Sequence, residues 1–247
     1  EQAVSFGFEG QNAFVASEAG IQYQDKRPTA LHFYCEHSNT RLSISLLGVL
    51  GKPRIYSALA ALAVAESVGI AQEEAGEALR TGPPPPGGMR LLEGIKGCLH
   101  IDDTYNSSPA AAATALDTLK EIKGFKKKIA VLGDMLELGK YSKEAHMVIG
   151  QKAGRIVKML VTVGFRAHAT AEAARDNGLT DMQVRQYEQD ESRRAGKELE
   201  PDVDKNTIVL IKGSQGMRME KAVEELMAEP LRAEELLVRM DADWRLR

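Results

Sequence analysis

Hydrophobic and polar positions follow two different rhythms along this chain. Over the first fifty residues they tend to alternate, the pattern of half-buried strands. Ala3 to Phe8 predicts a short strand, weakened by Gly7. Leu31-His32-Phe33-Tyr34-Cys35 and Leu42-Ser43-Ile44-Ser45-Leu46 predict two strands of a hairpin around the polar turn His37-Ser38-Asn39-Thr40. Ile55 to Ala65 then carries small apolar residues on nearly every side, which predicts a buried helix. Ala71 to Leu79 predicts a second, acidic helix after the break at Gly69-Ile70.

Thr81-Gly82-Pro83-Pro84-Pro85-Pro86-Gly87-Gly88 interrupts both rhythms. Four prolines stiffen the chain and the glycines release it, so a domain boundary is expected here, dividing residues 1–86 from 87–247. Beyond it, apolar runs alternate with helical segments. Strands are predicted at Leu91–Ile95, Cys98–Ile101, Lys128–Leu132, Met159–Val163 and Thr207–Ile211, with a weaker one near Met182–Tyr187. Helices are predicted near Pro109–Ile122, Ser142–Ile156, Ala167–Asn177, Glu191–Leu199 and Met219–Met227. Pro109 suits a first helical turn, with Ser107 or Ser108 as its cap. Such alternation predicts an α/β fold, a mostly parallel sheet covered by helices on both faces. The tail from Ala233 to Trp244 is amphipathic and reads as a helix, with Trp244 packed on the domain.

Composition narrows the partners. The 247 residues are 43% hydrophobic and 27% charged with a net charge of -3, so neither nucleic acid nor an anionic membrane surface is expected. Cys35 and Cys98 lack the spacing of a zinc site or disulfide framework and read as buried thiols. No apolar run approaches the ~20 residues that cross a bilayer, and no signal peptide opens the chain, so a cytoplasmic setting is the default expectation. The chain starts at Glu1, without a methionine, inside a strand-rich region; it is expected to be a fragment.

The chemistry concentrates in three strand-to-helix turns, the places where open α/β sheets bind ligands. The first is Asp102-Asp103-Thr104-Tyr105-Asn106-Ser107-Ser108-Pro109. Adjacent aspartates on a strand end point to opposite faces, so they are not a paired acid and base. Either one meets a ligand hydroxyl or metal while the other supports the turn, or both belong to an Asx-type cap. The second turn is Gly133-Asp134-Met135-Leu136-Glu137-Leu138-Gly139. The third is Lys212-Gly213-Ser214, where a cation and a hydroxyl either hold a carboxylate or phosphate or form a turn with a solvated lysine. No Gly-x-x-x-x-Gly-Lys-[Ser/Thr] and no Gly-x-Gly-x-x-Gly occurs, so a glycine loop for phosphates is missing from these residues. The five histidines show no metal-ligand spacing, and only His146, after the second turn, invites a test.

Taken with Met217-Arg218-Met219-Glu220, these turns resemble the C-terminal domain of the ATP-dependent Mur ligases. The resemblance covers roughly residues 87 to 230 well and 40 to 80 more loosely. It implies a Rossmann-like C-terminal domain over 87–247, preceded over 1–86 by a β-rich and helical remnant of the central ATPase domain. The implied activity is amide formation in peptidoglycan precursor synthesis. ATP and Mg2+ activate the carboxylate of a UDP-N-acetylmuramoyl tripeptide as an acyl phosphate, which the amine of D-alanyl-D-alanine attacks. By the same resemblance, Arg90 lies near the ATP phosphates and Asp103 is the ribose-binding aspartate, with Tyr105 and Asn106 in its turn. Lys212 and Ser214 help receive the D-amino-acid component, while Asp134 and Glu137 lie in a loop facing the cleft. No catalytic residue and no metal ligand is assigned within the chain, which is expected to be monomeric and inactive alone. Pro53, Arg54 and Ser57 replace a family His-Asn pair and asparagine, and Gln215 stands where an arginine is common. Two alternatives follow, a sister ligase with another amine and a non-catalytic nucleotide-binding module.

Overall fold

Alternation in the first fifty residues resolves into a four-stranded sheet in the computed structural model, which describes residues 3–245. The chain divides into one unit that ends at Pro84 and another that begins at Pro85. In the first unit the strands β1 (Phe6–Gly7), β2 (Phe14–Gln24), β3 (Arg27–His37) and β4 (Thr40–Leu47) lie in that order. The hairpin is longer than its apolar runs, with Phe33 opposite Ile44. The expected Ala3–Phe8 strand shrinks to two residues, and β2 was not legible at all. Phe14 and Ala16 are buried, whereas from Ser17 onward its residues are only partly buried or exposed and its register with β3 shifts. One face of this sheet packs Phe14, Phe33, Cys35 and Ile44 against helix α1 (Pro53–Ser67), with helix α2 (Gln72–Thr81) alongside.

Helix α1 corrects an expectation. Ile55, Ala58, Leu59 and Leu62 are buried, but Tyr56 and Val64 are 47% and 61% exposed. Its alanines permit close approach on one side and leave the other side outward, so small apolar residues all round did not mean burial all round. Burial pushes the Cys35 thiol up to about 11, which keeps it protonated near neutral pH.

The second unit is the predicted α/β domain. In chain order its elements are β5 (Arg90–Glu93), β6 (Leu99–Asp103), α3 (Pro109–Glu121), β7 (Lys127–Gly133), α4 (Ser142–Gly154), β8 (Met159–Val163), α5 (His168–Arg175), β9 (Val184–Tyr187), α6 (Ser192–Lys197), β10 (Thr207–Lys212) and α7 (Glu220–Leu226). The sheet order is β5-β6-β10-β7-β8-β9, all parallel except β5. From β6 to β9 the chain steps across the sheet in one direction, and the crossovers, right-handed as a rule for parallel strands, place α3, α4 and α5 side by side on one face. The return from β9 to β10 reverses direction and puts α6, with α7, on the other face. That face carries the larger core, Val131, Val161, Val209 and Ile211 against Ala195, Leu199, Ala222 and Leu226.

The tail is not one helix. Two four-residue helices, α8 (Ala233–Leu236) and α9 (Ala242–Arg245), flank an extended residue at Leu237. Among the described residues no helix is long and apolar enough to cross a membrane.

Candidate functional site

Strands β6 and β10 are adjacent and parallel, yet the helices that follow them go to opposite faces, which opens a crevice at their carboxyl ends. Asp103 and Lys212 are direct register partners there. Lys212 Nζ lies 2.7 Å from Asp103 Oδ2, with the two side chains 3% and 14% exposed, and donates to the Asn106 carbonyl at 2.8 Å. Asp103 Oδ1 has no hydrogen-bond partner among the described residues.

Alternation along the strand sends Asp102 the other way, fully buried. It accepts from the Gly87 N–H at 3.0 Å, the Thr104 N–H at 3.2 Å and the Thr104 hydroxyl at 2.6 Å. Burial pushes its carboxyl up to about 6 against the pull of those hydrogen bonds, with a smaller upward push from Asp103. Asp102 is therefore the turn's support and Asp103 its outward group. Gly87 closes the arrangement by accepting from the Tyr105 N–H at 2.9 Å. Its φ of 65° and an added Cβ only 2.8 Å from the Tyr105 nitrogen restrict this position to glycine.

Of the two candidate caps, Ser108 caps α3, its Oγ accepting from the Ala111 N–H at 3.3 Å with Pro109 next in line. Tyr105 is 63% exposed, and Asn106, whose Oδ1 accepts from the Ser107 N–H, is also exposed. Arg90 is half-buried on β5, across from Asp102, and donates to the Leu236 carbonyl at 3.1 Å.

The solvated-lysine reading of the third turn fails, because Lys212 is buried and committed to Asp103 and Asn106. Ser214 is also buried. Its Oγ accepts from the Leu136 N–H at 2.9 Å and donates to the Ser107 carbonyl at 3.4 Å, tying the three turns together. Both residues stand beside the crevice as braces, and a ligand would compete with these bonds.

The second turn also departs from expectation. Asp134 does not face a cleft. It is fully buried, its Oδ1 accepting from the Ala167 N–H at 2.7 Å and its Oδ2 lying 3.4 Å from Arg166. Glu137 is exposed. His146 is a pin: Nε2 accepts from the Met135 N–H at 2.9 Å while Nδ1, 2.7 Å from the Ser142 carbonyl, must carry the proton.

Beside this turn, at the amino ends of α4 and α5, lies an open cleft of about 600 Å³ lined by Lys140, Lys143, Phe165, Arg166, His168 and Glu172. Lys140, Lys143 and an Arg166 already paired with Asp134 face one carboxylate, Glu172, which suits a small anionic group with an apolar portion to set on Phe165, 76% exposed. This cleft was missed in the sequence, although Gly164-Phe165-Arg166 follows an apolar strand as the other turns do. Among the described residues no cluster of three or more His, Cys, Asp or Glu side chains is placed to hold a metal ion.

A family model described as "Mur ligase, glutamate ligase domain" matches residues 89–215. The UDP-N-acetylmuramoyl-tripeptide–D-alanyl-D-alanine ligase of Bacillus subtilis is 31% identical over 184 residues, which are 74% of this chain and 40% of that protein. The Escherichia coli protein of the same name is 33% identical over 131 residues, 52% of this chain and 28% of that one. Among solved structures, MurF ligase from Thermotoga maritima in complex with ADP superposes with a TM-score of 0.72 at 24% identity, covering 93% of this chain and 48% of that one. Folylpolyglutamate synthase from Mycobacterium tuberculosis, complexed with ADP, reaches 0.61 at 17% identity, covering 86% of this chain and 47% of that one. The chain thus spans less than half the length of these proteins, and the structural likeness shows a shared fold.

Proposed function

The chain belongs to the Mur ligase family, and we propose that the full-length protein joins D-alanyl-D-alanine to a UDP-N-acetylmuramoyl tripeptide in cytoplasmic peptidoglycan precursor synthesis. Residues 1–86 would be the later part of its central domain and 87–247 its C-terminal domain. ATP, with Mg2+, would supply the phosphoryl group that activates the tripeptide carboxylate. Catalysis of this kind is mostly neutralisation of the phosphoryl charge and placement of the amine.

The observation that carries the reading is the crevice at β6 and β10. Asp103 keeps one carboxylate oxygen open on the turn that carries the exposed Tyr105 ring and Asn106 amide, and the Thr104, Tyr105 and Asn106 carbonyls of that turn are all bonded. A carboxylate oxygen that only accepts, next to an aromatic face, suits a nucleoside: the ribose hydroxyls donate and the base stacks. Arg90 would stand toward the phosphates. Lys212 and Ser214 would help form the wall that meets the incoming dipeptide. The cationic cleft with Lys140 and Arg166 offers a place for the dipeptide carboxylate. No residue of this chain is assigned to magnesium, and the protein is proposed to act as a monomer.

Phosphate release by the full-length protein tests the proposal, with ATP, magnesium and UDP-N-acetylmuramoyl tripeptide present and D-alanyl-D-alanine added or withheld. Release that depends on the dipeptide is expected. Release triggered by a different amine identifies a sister ligase, and no release with any amine identifies a nucleotide-binding module. Asp103→Ala should weaken ATP binding, and unchanged affinity would reject the assigned role. The 247-residue chain alone should not hydrolyse ATP.

A further inference from the structure

Beyond residue 215, where the family match ends, the chain folds back along the sheet edge and reaches the turn after β6 from behind. The Ala228 N–H donates to the Glu93 carbonyl at 2.9 Å, and Met227 bridges Gly94. The Leu236 carbonyl then accepts from Arg90. Three residues on, the Arg239 side chain, 5% exposed, donates to the carbonyls of Thr104 and Tyr105, the latter at 3.0 Å. The same guanidinium holds Glu220 Oε2 at 3.0 Å. Glu220 is fully buried at the start of α7, and its other oxygen is taken by Arg218. Arg218 in turn donates to the Trp244 carbonyl at 2.9 Å.

The geometry points to Arg239 as a positioning residue for the nucleotide site, aimed by the buried Glu220 and Arg218 and acting through the backbone of the turn after β6. This rests on the reading of that turn as nucleotide-binding.

Three features favour positioning over general stabilisation. The carbonyls of three successive residues, Thr104, Tyr105 and Asn106, all accept from buried cations, the first two from Arg239 and the third from Lys212. With the Tyr105 N–H on Gly87 and the Thr104 N–H on Asp102, the backbone has little freedom left, while the Tyr105 and Asn106 side chains stay exposed and Asp103 partly so. Second, a triad of two arginines and a glutamate is an expensive way to fill a core. Apolar replacements of such triads often fold as well or better, so what the charges add is a fixed geometry. Third, Arg218 and Arg239 both occupy the left-handed region, at φ 52° and 57°, a conformation uncommon for non-glycine residues, and here the bonds of both side chains hold it. The planar fork meets these acceptors from separate nitrogens, Nη1 on the Tyr105 carbonyl and Nη2 on the Thr104 carbonyl and Glu220, a spread that a single ammonium nitrogen does not have. One segment thereby fastens both Arg90 and the turn carrying Asp103.

The test compares Arg239→Lys, Arg239→Met and Asp103→Asn in the full-length ligase by thermal unfolding, ATP binding and the KM values of ATP and dipeptide. Arg239→Lys keeps a cation for Glu220 but offers one nitrogen where the guanidinium reaches the two carbonyls with two. It is expected to hold Tm near wild type while ATP affinity falls roughly tenfold, with the dipeptide KM moving less than twofold. Arg239→Met should weaken ATP binding at least as much and also lower Tm. Wild-type ATP affinity in a folded Arg239→Lys protein overturns the inference, as does an equal rise in both KM values. If Asp103→Asn leaves ATP affinity unchanged, the nucleotide reading of the turn is what fails. Positioning is then judged by amide exchange at Thr104 and Tyr105, expected to quicken at least about tenfold in Arg239→Lys, and unchanged exchange overturns it.

Discussion

Replacing Lys212 separates a brace from a waiting ligand contact. Its ammonium lies 2.7 Å from Asp103 and 2.8 Å from the Asn106 carbonyl, with 3% of the side chain exposed. At 2.7 Å and an effective dielectric of about 20 the gross attraction is about 6 kcal/mol. Desolvation of two ions, still several kcal/mol each after relaxation, cancels most of it. Asp103 retains 14% exposure, so the net coupling should fall near 2 kcal/mol, between surface pairs and fully buried ones. Lys212→Met keeps the apolar stem but also strips the Asn106 carbonyl of a charged donor, so a total loss of about 3 kcal/mol is expected. Asp103→Asn should cost about 2 kcal/mol, because it leaves the lysine buried beside a neutral amide. The double mutant should be less destabilised than the sum of the singles by about 2 kcal/mol. Urea unfolding of the 247-residue chain, followed by fluorescence of its single tryptophan, Trp244, would report on the second unit, because Arg218 ties that residue to the domain. A coupling below about 0.5 kcal/mol, or a Lys212→Met protein as stable as wild type, would refute the brace and return Lys212 to the role of a free binding group.

Two further outcomes follow from buried groups. The Asp102 carboxyl is raised in the folded state from 3.8 to about 6, so folding takes up a proton within that window and stability from this group falls as pH climbs from about 4 through 6. The stability difference between wild type and Asp102→Asn should therefore shift against wild type by up to about 3 kcal/mol between pH 4 and 7.5 in urea titrations, and a flat difference rejects the raised carboxyl. Gly150→Ala on α4 places a methyl 2.2 Å from the Thr170 carbonyl of α5. The overlap should cost more than the roughly 1 kcal/mol of helix propensity gained, a net loss of about 1–2 kcal/mol by thermal denaturation, and a stabilised variant would show that the two helices do not pack this closely.

Much of the second unit was legible because its signals are local. Strands β7, β8 and β10 are continuous apolar runs, as expected where both faces are covered. Ser108-Pro109 marks the start of α3 by capping chemistry that spans four residues. The alternation of these elements was enough for an α/β sheet, and the opposite orientation of Asp102 and Asp103 follows from the pleat alone. Position along the chain could not assign them roles. Only the Gly87 N–H and the Lys212 ammonium, arriving from other segments, make one aspartate a support and leave the other with an open oxygen.

Long-range pairing was decided by the tertiary structure. Insertion of β10 between β6 and β7 brings Lys212 to Asp103, and nothing in either motif announces that register. Read along the chain, Lys212, Glu220 and Arg239 are charges that water would be expected to solvate; folding buries all three because Lys212 and Arg239 meet acceptors of the turn after β6 and Glu220 is held between Arg218 and Arg239. The tail's amphipathic pattern suggested one helix, but bonds from Arg90, Arg218 and Arg239 hold it against the sheet edge in short pieces. Strand β2 escaped notice for the converse reason, since its apolar positions change phase at the register shift, Phe14 and Ala16 before it and Ala19, Ile21 and Tyr23 after it. Periodicity and capping report what a segment does with its own neighbours. The closure that matches donors to acceptors far apart in sequence, from 15 positions between Gly87 and Asp102 to 135 between Thr104 and Arg239, is a property of the assembled fold, and the candidate site is made of such matches.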